Sequence, residues 1–421
     1  MRRKQFLTTT AAGVAAVAAP RFTTAAGPVT VRIGFLDSFA GVFSDLGAYH
    51  RIGAEIALAD ANRKGRVKYE FVFGDDASAP ATAGTEARRL ISQEKVDALL
   101  GGTSSATGLA LAALTNELGV FNLLIGPQDT AITGGKATHS TYRFGPNVRM
   151  LVNAMSRRVL ALGKKWYFIQ ADYALGRDAY AQLSEVLKRA GGTEVGHDII
   201  KLGTSDFSAE LTKLRNSDAD VLVLANSGLD AANTAKQFVQ FGLNKKIKLA
   251  GISLEDIYYK ALPLDQIVGA TFPVLWAPSV SDSAQKLARR MAGDVGNVPV
   301  SGRHYLGYMA MATLADRIEA AGTTRADAIA KAFDNHSFMA YKENNSLWKG
   351  CDHQCAQDTY AGSTISSKQF DRTKFMYDVV GTVPAAESDG SGCDTAWAKA
   401  AQTAMASAPL GTRAGYTPKT V

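Results

Sequence analysis

The sequence predicts an α/β protein made of two doubly wound units. Three observations predict it. Apolar runs of about six residues alternate with helical stretches of ten or more, the rhythm of βαβ units around a parallel sheet. That rhythm restarts after Tyr142-Arg143-Phe144-Gly145-Pro146. The length of 421 residues suits two or three domains, and 46% hydrophobic with 20% charged residues is an ordinary globular composition. Disorder, collagen and coiled coil are excluded as the main reading.

In the first unit, residues 29–35 alternate as a strand and a loop follows to Gly47. Residues 48–63 carry Ile52, Ile56, Ala57 and Ala59 at helical spacing. Residues 67–73 read as a strand and 80–93 as a helix with Glu86, Arg88 and Arg89 on its wet side. A short buried strand at 96–100 ends in Gly101-Gly102, a helix covers 105–117, and a strand covers 120–125. In the second unit, helices are expected at 147–162, 175–190, 208–214 and 230–241, with strands at 165–170, 194–200, 220–225 and 247–252. One more strand, 269–276, is followed by helices near 281–294, 303–321 and 325–333. Beyond Asn335 turns dominate, with a short strand at 379–383, a helix at 395–406 and an extended tail.

The net charge of +7 is misleading, because residues 1–26 hold four basic residues and no acid, which leaves +3 for the rest. A near-balanced chain has no electrostatic footprint for nucleic acid. Residues 1–26 read as a secretory signal: Arg2-Arg3-Lys4, an apolar stretch from Phe6 to Ala19, then Thr24-Ala25-Ala26. The stretch is too short to span a bilayer as a helix. Arg2-Arg3 before Phe6-Leu7 hints at twin-arginine export and leaves the route open. A periplasmic location is expected. The three cysteines, Cys351, Cys355 and Cys393, suit a disulfide in an oxidising compartment. The sequence leaves all three pairings open. Cys351, His353 and Cys355 lack zinc-knuckle spacing, so no metal and no cofactor is expected.

Catalytic patterns are missing: there is no phosphate-binding G-x-x-x-x-G-K-[ST], no G-x-G-x-x-G after the first strand, no G-x-S-x-G and no H-E-x-x-H. The six histidines are scattered. An enzyme is not expected. The chemistry lies in the loops after the strands, where open α/β sheets bind ligands. These are residues 37–47, Gly101-Gly102-Thr103-Ser104-Ser105 and Gly126-Pro127-Gln128-Asp129-Thr130. The helix start at Ser104-Ser105 suits a carboxylate, although both serines also read as plain helix caps.

The chain resembles the type I periplasmic binding proteins, the Leu/Ile/Val-binding family of ABC transporters. The resemblance rests on order and spacing: Ile33-Gly34-Phe35, Gly41, Gly47, Gly53-Ala54, Asp75-Asp76, Gly101-Gly102 and Ser104-Ser105. Tyr173-Ala174-Leu175-Gly176, Asp206-Phe207-Ser208, Ala219-Asp220, Gly242-Leu243 and the Tyr305/Tyr308 helix continue it. It implies two Rossmann-like lobes joined by three crossovers, with a ligand between them. The lobes would comprise 28–147 plus 277–346, and 148–276 plus 347–421. It also implies an inner-membrane permease as partner, and a monomer.

Residue by residue, Ser104, Ser105, Gln128 and Thr130 match positions that hold a ligand carboxylate in the family. Phe43 and Leu46 match the loop that packs on the ligand side chain, and Tyr173 matches an aromatic lid. Ser227, Asp230, Ser253 and Glu255 fall near positions that hold a ligand's amino end, although a tyrosine common before Asp230 is here replaced by Ser227-Gly228. Trp276 reads as a cleft wall or as hinge packing. Asp352-His353-Gln354 resembles a segment of members that bind aromatic carboxylates. The expected ligand is therefore an amino acid or an aromatic acid. A sensory module of the same fold and an exported enzyme are the other readings.

Overall fold

The structure is a computed structural model that describes residues 28–296, 298–371, 376–389 and 392–421. The predicted leader, 1–26, lies outside the described residues. The first sheet contains β1 (Val29–Asp37), β2 (Val67–Asp75), β3 (Ala98–Gly101), β4 (Phe121–Leu124) and β5 (Thr141–Arg143) in the order β2-β1-β3-β4-β5, all parallel. Its helices are α1 (Ser44–Arg63), α2 (Pro80–Ser92) and α3 (Ser105–Glu117). β3 and β4 are buried at every position, as strands covered on both faces must be.

The second unit supplies α4 (Val148–Leu162), β6 (Lys165–Ala171), α5 (Ala174–Arg189) and β7 (Thr193–Ile200). It continues through α6 (Ser208–Arg215), β8 (Val221–Ala225), α7 (Gly228–Gln240), β9 (Lys248–Gly251) and β10 (Thr271–Val274). The chain then returns to the first unit with α8 (Asp282–Met291), α9 (Gly302–Ala321) and α10 (Ala326–Phe333). A small antiparallel sheet, β11 (Ser337–Phe338), β12 (Ser346–Trp348) and β13 (Cys355–Ala356), lies beside Arg143 of β5. Two final strands, β14 (Thr359–Thr364) and β15 (Tyr377–Val383), add antiparallel to β10 and complete a seven-stranded second sheet, β15-β14-β10-β9-β8-β6-β7. The short helix α11 (Ala385–Ser388) and α12 (Ala396–Ser407) follow.

Among the described residues the chain crosses between the two units at 144–147, 275–281 and 357–358, and after β15 its final residues return to the first unit. Polar groups tie the crossovers together. Lys342 Nζ donates to the carbonyls of Leu275 (2.9 Å) and Asp358 (2.7 Å), and Gln357 donates to the Phe144 carbonyl. Burial pulls the Lys342 pKa down to about 7.

Strand β14 and the seat of the final residues differ from the sequence reading. The segment 359–364 forms strand β14 although Thr359-Tyr360-Ala361-Gly362-Ser363-Thr364 lacks the Val/Ile signature, because its place is fixed by pairing with β10 and β15. The final residues, assigned to the second lobe, lie on the first. Asn116 donates to the carbonyls of Ala408 and Pro409 (3.1 Å each), Arg413 to those of Ile91 (2.8 Å) and Val96 (2.7 Å), and Tyr416 to Asp97 (2.7 Å). Val96 and Asp97 lie just before β3, so the tail is held at the amino-terminal ends of the first sheet's strands, away from the cleft. Of the three cysteine pairings the sequence leaves open, the disulfide takes Cys351–Cys393, with Cys355 buried and free.

Candidate functional site

The site is assembled by the carboxyl ends of β1, β3 and β4 facing the loops of the second unit. Gly101 makes the turn out of β3. Its φ is +140°, and an added Cβ would lie 2.2 Å from the Leu36 carbonyl oxygen, so only glycine fits. The chain then runs through Thr103 and Ser104 into α3. Ser105 Oγ accepts hydrogen bonds from the backbone N–H groups of Gln128 and Asp129, both at 3.1 Å, so its own proton is available to donate.

Between the lobes lies a small pocket of about 10 Å³, room for about one water. The walls supplied by the two lobes therefore nearly meet. Phe43 and Leu46 wall it on one side, Tyr173 and Leu175 on the other, with the Phe43 and Tyr173 rings 5.8 Å apart. Thr103, Ser105, Gly126, Gln128 and Ser227 supply polar walls, and Arg303 is the one charged side chain in the lining. The Gln128 side-chain oxygen is buried with no hydrogen-bond partner.

A polar chain continues from the cavity into both lobes. Asp37 accepts from Thr103 (2.6 Å) and pairs with His50 Nδ1 (3.0 Å). Burial, first, and the nearby Arg303 charge hold the His50 pKa below its ordinary value, so the ring is neutral. On the other lobe, Arg303 Nε donates to Glu255 at 3.0 Å, and Nη2 donates to the other carboxylate oxygen. Both side chains are buried. Burial alone would push the Glu255 pKa up; the Arg303 charge, with hydrogen bonds from Arg303 and Ser253, holds it below the usual value. Ser227 donates to Ser253 (2.9 Å) and Ser253 to Glu255. The next residue, Asp256, accepts from Ser301 Oγ (2.5 Å) and Gly302 N–H (3.1 Å) and so caps α9.

Of the twelve expected site residues, Phe43, Leu46, Ser105, Gln128, Tyr173 and Ser227 line the cavity. Ser253 and Glu255 stand one contact behind it. Ser104 is the N-cap residue of α3 and is absent from the cavity lining. Thr130 lies outside the cavity, where its N–H donates to Asp178 of α5 (2.7 Å) and Gln182 donates to its hydroxyl (2.9 Å), a clasp between the lobes. Asp230 accepts from Gly203 N–H (3.0 Å), and burial raises its pKa to about 6. Trp276 takes the hinge alternative: it is fully buried, stacks on Tyr305 at 5.0 Å and donates to the Tyr341 carbonyl (2.9 Å). The Asp352-His353-Gln354 segment also sits at the hinge, with His353 stacked on Tyr142 at 3.9 Å and Gln354 accepting from Arg143 (2.7 Å).

The sequence reading named the segments that hold Thr103, Gly126 and Leu175 without assigning those residues to the site, and it missed Arg303 altogether. Arg303 had a legible signal. A cation in the first turn of a helix opposes the helix dipole, so its presence there asks for an external anion.

Two facing sheets with a small cavity between their carboxyl edges agree with the comparison to known proteins. The family described as "Periplasmic binding protein" matches residues 30–369. The chain belongs to that family. It is 24% identical over 313 residues to a "Leu/Ile/Val-binding protein homolog 3" from Brucella melitensis, covering 72% of this chain and 82% of that one. A periplasmic binding protein structure from Burkholderia mallei superposes with a TM-score of 0.81 at 25% identity, covering 87% of this chain and 98% of the other. A solute-binding protein of an ABC transporter from Rhodopseudomonas palustris, solved in complex with 3,4-dihydroxybenzoic acid, superposes with a TM-score of 0.76 at 19% identity, covering 85% and 98%. These likenesses bear out the expected fold and the expectation of a binding protein rather than an enzyme.

Proposed function

We propose that the protein is an exported solute-binding protein that captures one small carboxylate between its lobes and delivers it to an ABC permease in the inner membrane. One observation carries this reading: the interlobe cavity places the Ser105 hydroxyl, at the start of α3, in the same wall as the buried Arg303 cation. A helix N-terminus and a guanidinium both favour an anion. Phe43, Leu46, Tyr173 and Leu175 give the rest of that ligand an apolar bed. The three crossovers allow the lobes to hinge around it. The Rhodopseudomonas protein with its bound dihydroxybenzoate and the Leu/Ile/Val-binding relatives support a small acid as the ligand. Among the described residues no helix is long and apolar enough to cross a membrane, so docking to a separate permease supplies the transmembrane step. The protein acts in the periplasm as a monomer.

A thermal-shift panel of aliphatic and aromatic acids and their amides tests the reading on residues 28–421. A ligand at about one hundred times its dissociation constant stabilises by about 2.7 kcal/mol. Acids are expected to raise Tm and the matching amides to leave it unchanged. Stabilisation by amides and acids alike contradicts a carboxylate site.

A further inference from the structure

Glu255 of the second lobe stands one contact behind the cavity lining, and the chain's own Arg303 occupies it. The contact is bidentate, through Nε at 3.0 Å and Nη2, and both partners are buried. Ser253 donates to the same carboxylate. The pair is anchored on each side. Asp256, next to Glu255, caps the start of α9, and Arg303 lies in that helix's first turn. Asp230, the other nearby acid, accepts from the Gly203 N–H and does not line the cavity. The cavity lining therefore offers the N–H edge of a paired guanidinium, the Ser105 hydroxyl and the Gln128 amide, and no carboxylate.

Resting on the solute-binding reading above, we infer that the Arg303–Glu255 pair fixes the ligand class: the cleft takes monocarboxylates that lack an α-ammonium group, and it rejects zwitterionic amino acids. An α-ammonium needs an anionic partner when it leaves water. Here the acid is already taken by Arg303 and Ser253, so the ammonium would be buried with no free carboxylate to offset its lost hydration. A bare carboxylate has no such group to desolvate. It finds the helix start, the serine proton and the remaining Arg303 nitrogen, Nη1, which lies 3.4 Å from the neutral His50 ring.

Matched pairs test this by titration calorimetry: 4-methylpentanoate against leucine, and 3-phenylpropanoate against phenylalanine. In each pair the ammonium is the only difference. The wild type is expected to bind the member without the ammonium at least about 100-fold more tightly, a difference of about 2.7 kcal/mol. In Arg303→Leu, Glu255 is released and the selectivity falls by about tenfold or more. Glu255→Gln removes the acid but keeps Arg303, so its preference for the monocarboxylate persists. This second variant keeps the test decisive if Arg303→Leu fails to fold. Equal or tighter binding of leucine or phenylalanine by the wild type overturns the inference while the solute-binding reading stands. Binding of none of the four compounds, or of any acid in the wider panel, overturns both.

Discussion

His353 shows how one residue can look like ligand chemistry and serve the hinge. Its φ is +62°, and its Nδ1–H donates to the carbonyls of Thr138 (3.0 Å) and Thr141 (3.1 Å). Burial lowers its pKa to about 4. An unfolded histidine titrates near ~6.5. The neutral ring's contribution is thus whole above about 6.5 and is lost as pH falls toward 4, because the unfolded chain takes the proton first. Asparagine tolerates positive φ and keeps a donor, so His353→Asn isolates the titration. Urea unfolding at pH 7 and 4.5 is expected to show the wild type losing about 2–3 kcal/mol relative to that variant. An unchanged difference would mean that the ring is charged in the fold. Arg303 belongs to the same scale. Its cost in the first turn of α9 is offset by Glu255, and Asp256 restores a negative charge at the helix start.

At the scale of elements, α1 and α9 cross at glycines. A Cβ on Gly53 would lie 1.9 Å from the His304 carbonyl oxygen, and one on Gly307 would lie 2.0 Å from that of His50. The two helices therefore carry His50 and Arg303 to one place by backbone contact. Gly53→Ala forces the helices apart and is expected to cost about 2–3 kcal/mol in chemical denaturation, with weaker acid binding. A neutral result would show that the crossing is loose. The Cys351–Cys393 bond closes a loop of 42 residues in sequence separation beside the third crossover. Cys393→Ser is expected to lower unfolding free energy by roughly 2–4 kcal/mol, and addition of a reductant should reproduce the loss in the wild type. The regular elements were legible because their periodicity is local. The strands and helices of residues 29–252 fall close to where the sequence patterns place them, and Ser105 and Gln128 were legible as loop residues after strands. Strand β14 and the seat of residues 407–421 were not, since both are decided by partners far away in the chain. The disulfide was open for the same reason. Trp276 and Thr130 stand close in sequence to cleft loops, yet stacking on Tyr305 and a bond to Asp178 take them out of the cavity.

For the molecule as a whole, the cleft and the C-terminal tail work at opposite edges of the first sheet. The tail fastens the edge at Thr30 and Asp97, where Lys419 donates at 2.8 and 2.6 Å. That leaves the edge at Asp37, Thr103 and Gln128 to move against the second lobe. Small-angle scattering is expected to show a lower radius of gyration when a binding acid is added, as hinge closure requires. The central claim is that a carboxylate sits between the lobes on Ser105 and beside Arg303. A crystal structure with the tightest-binding acid of the panel tests it most directly. The account predicts one acid per chain, unchanged in chemistry, with its carboxylate within hydrogen-bond distance of Ser105 and the Arg303–Glu255 pair intact. An acid bound outside the cleft, or one whose carboxylate points away from Ser105 and Arg303, would contradict it.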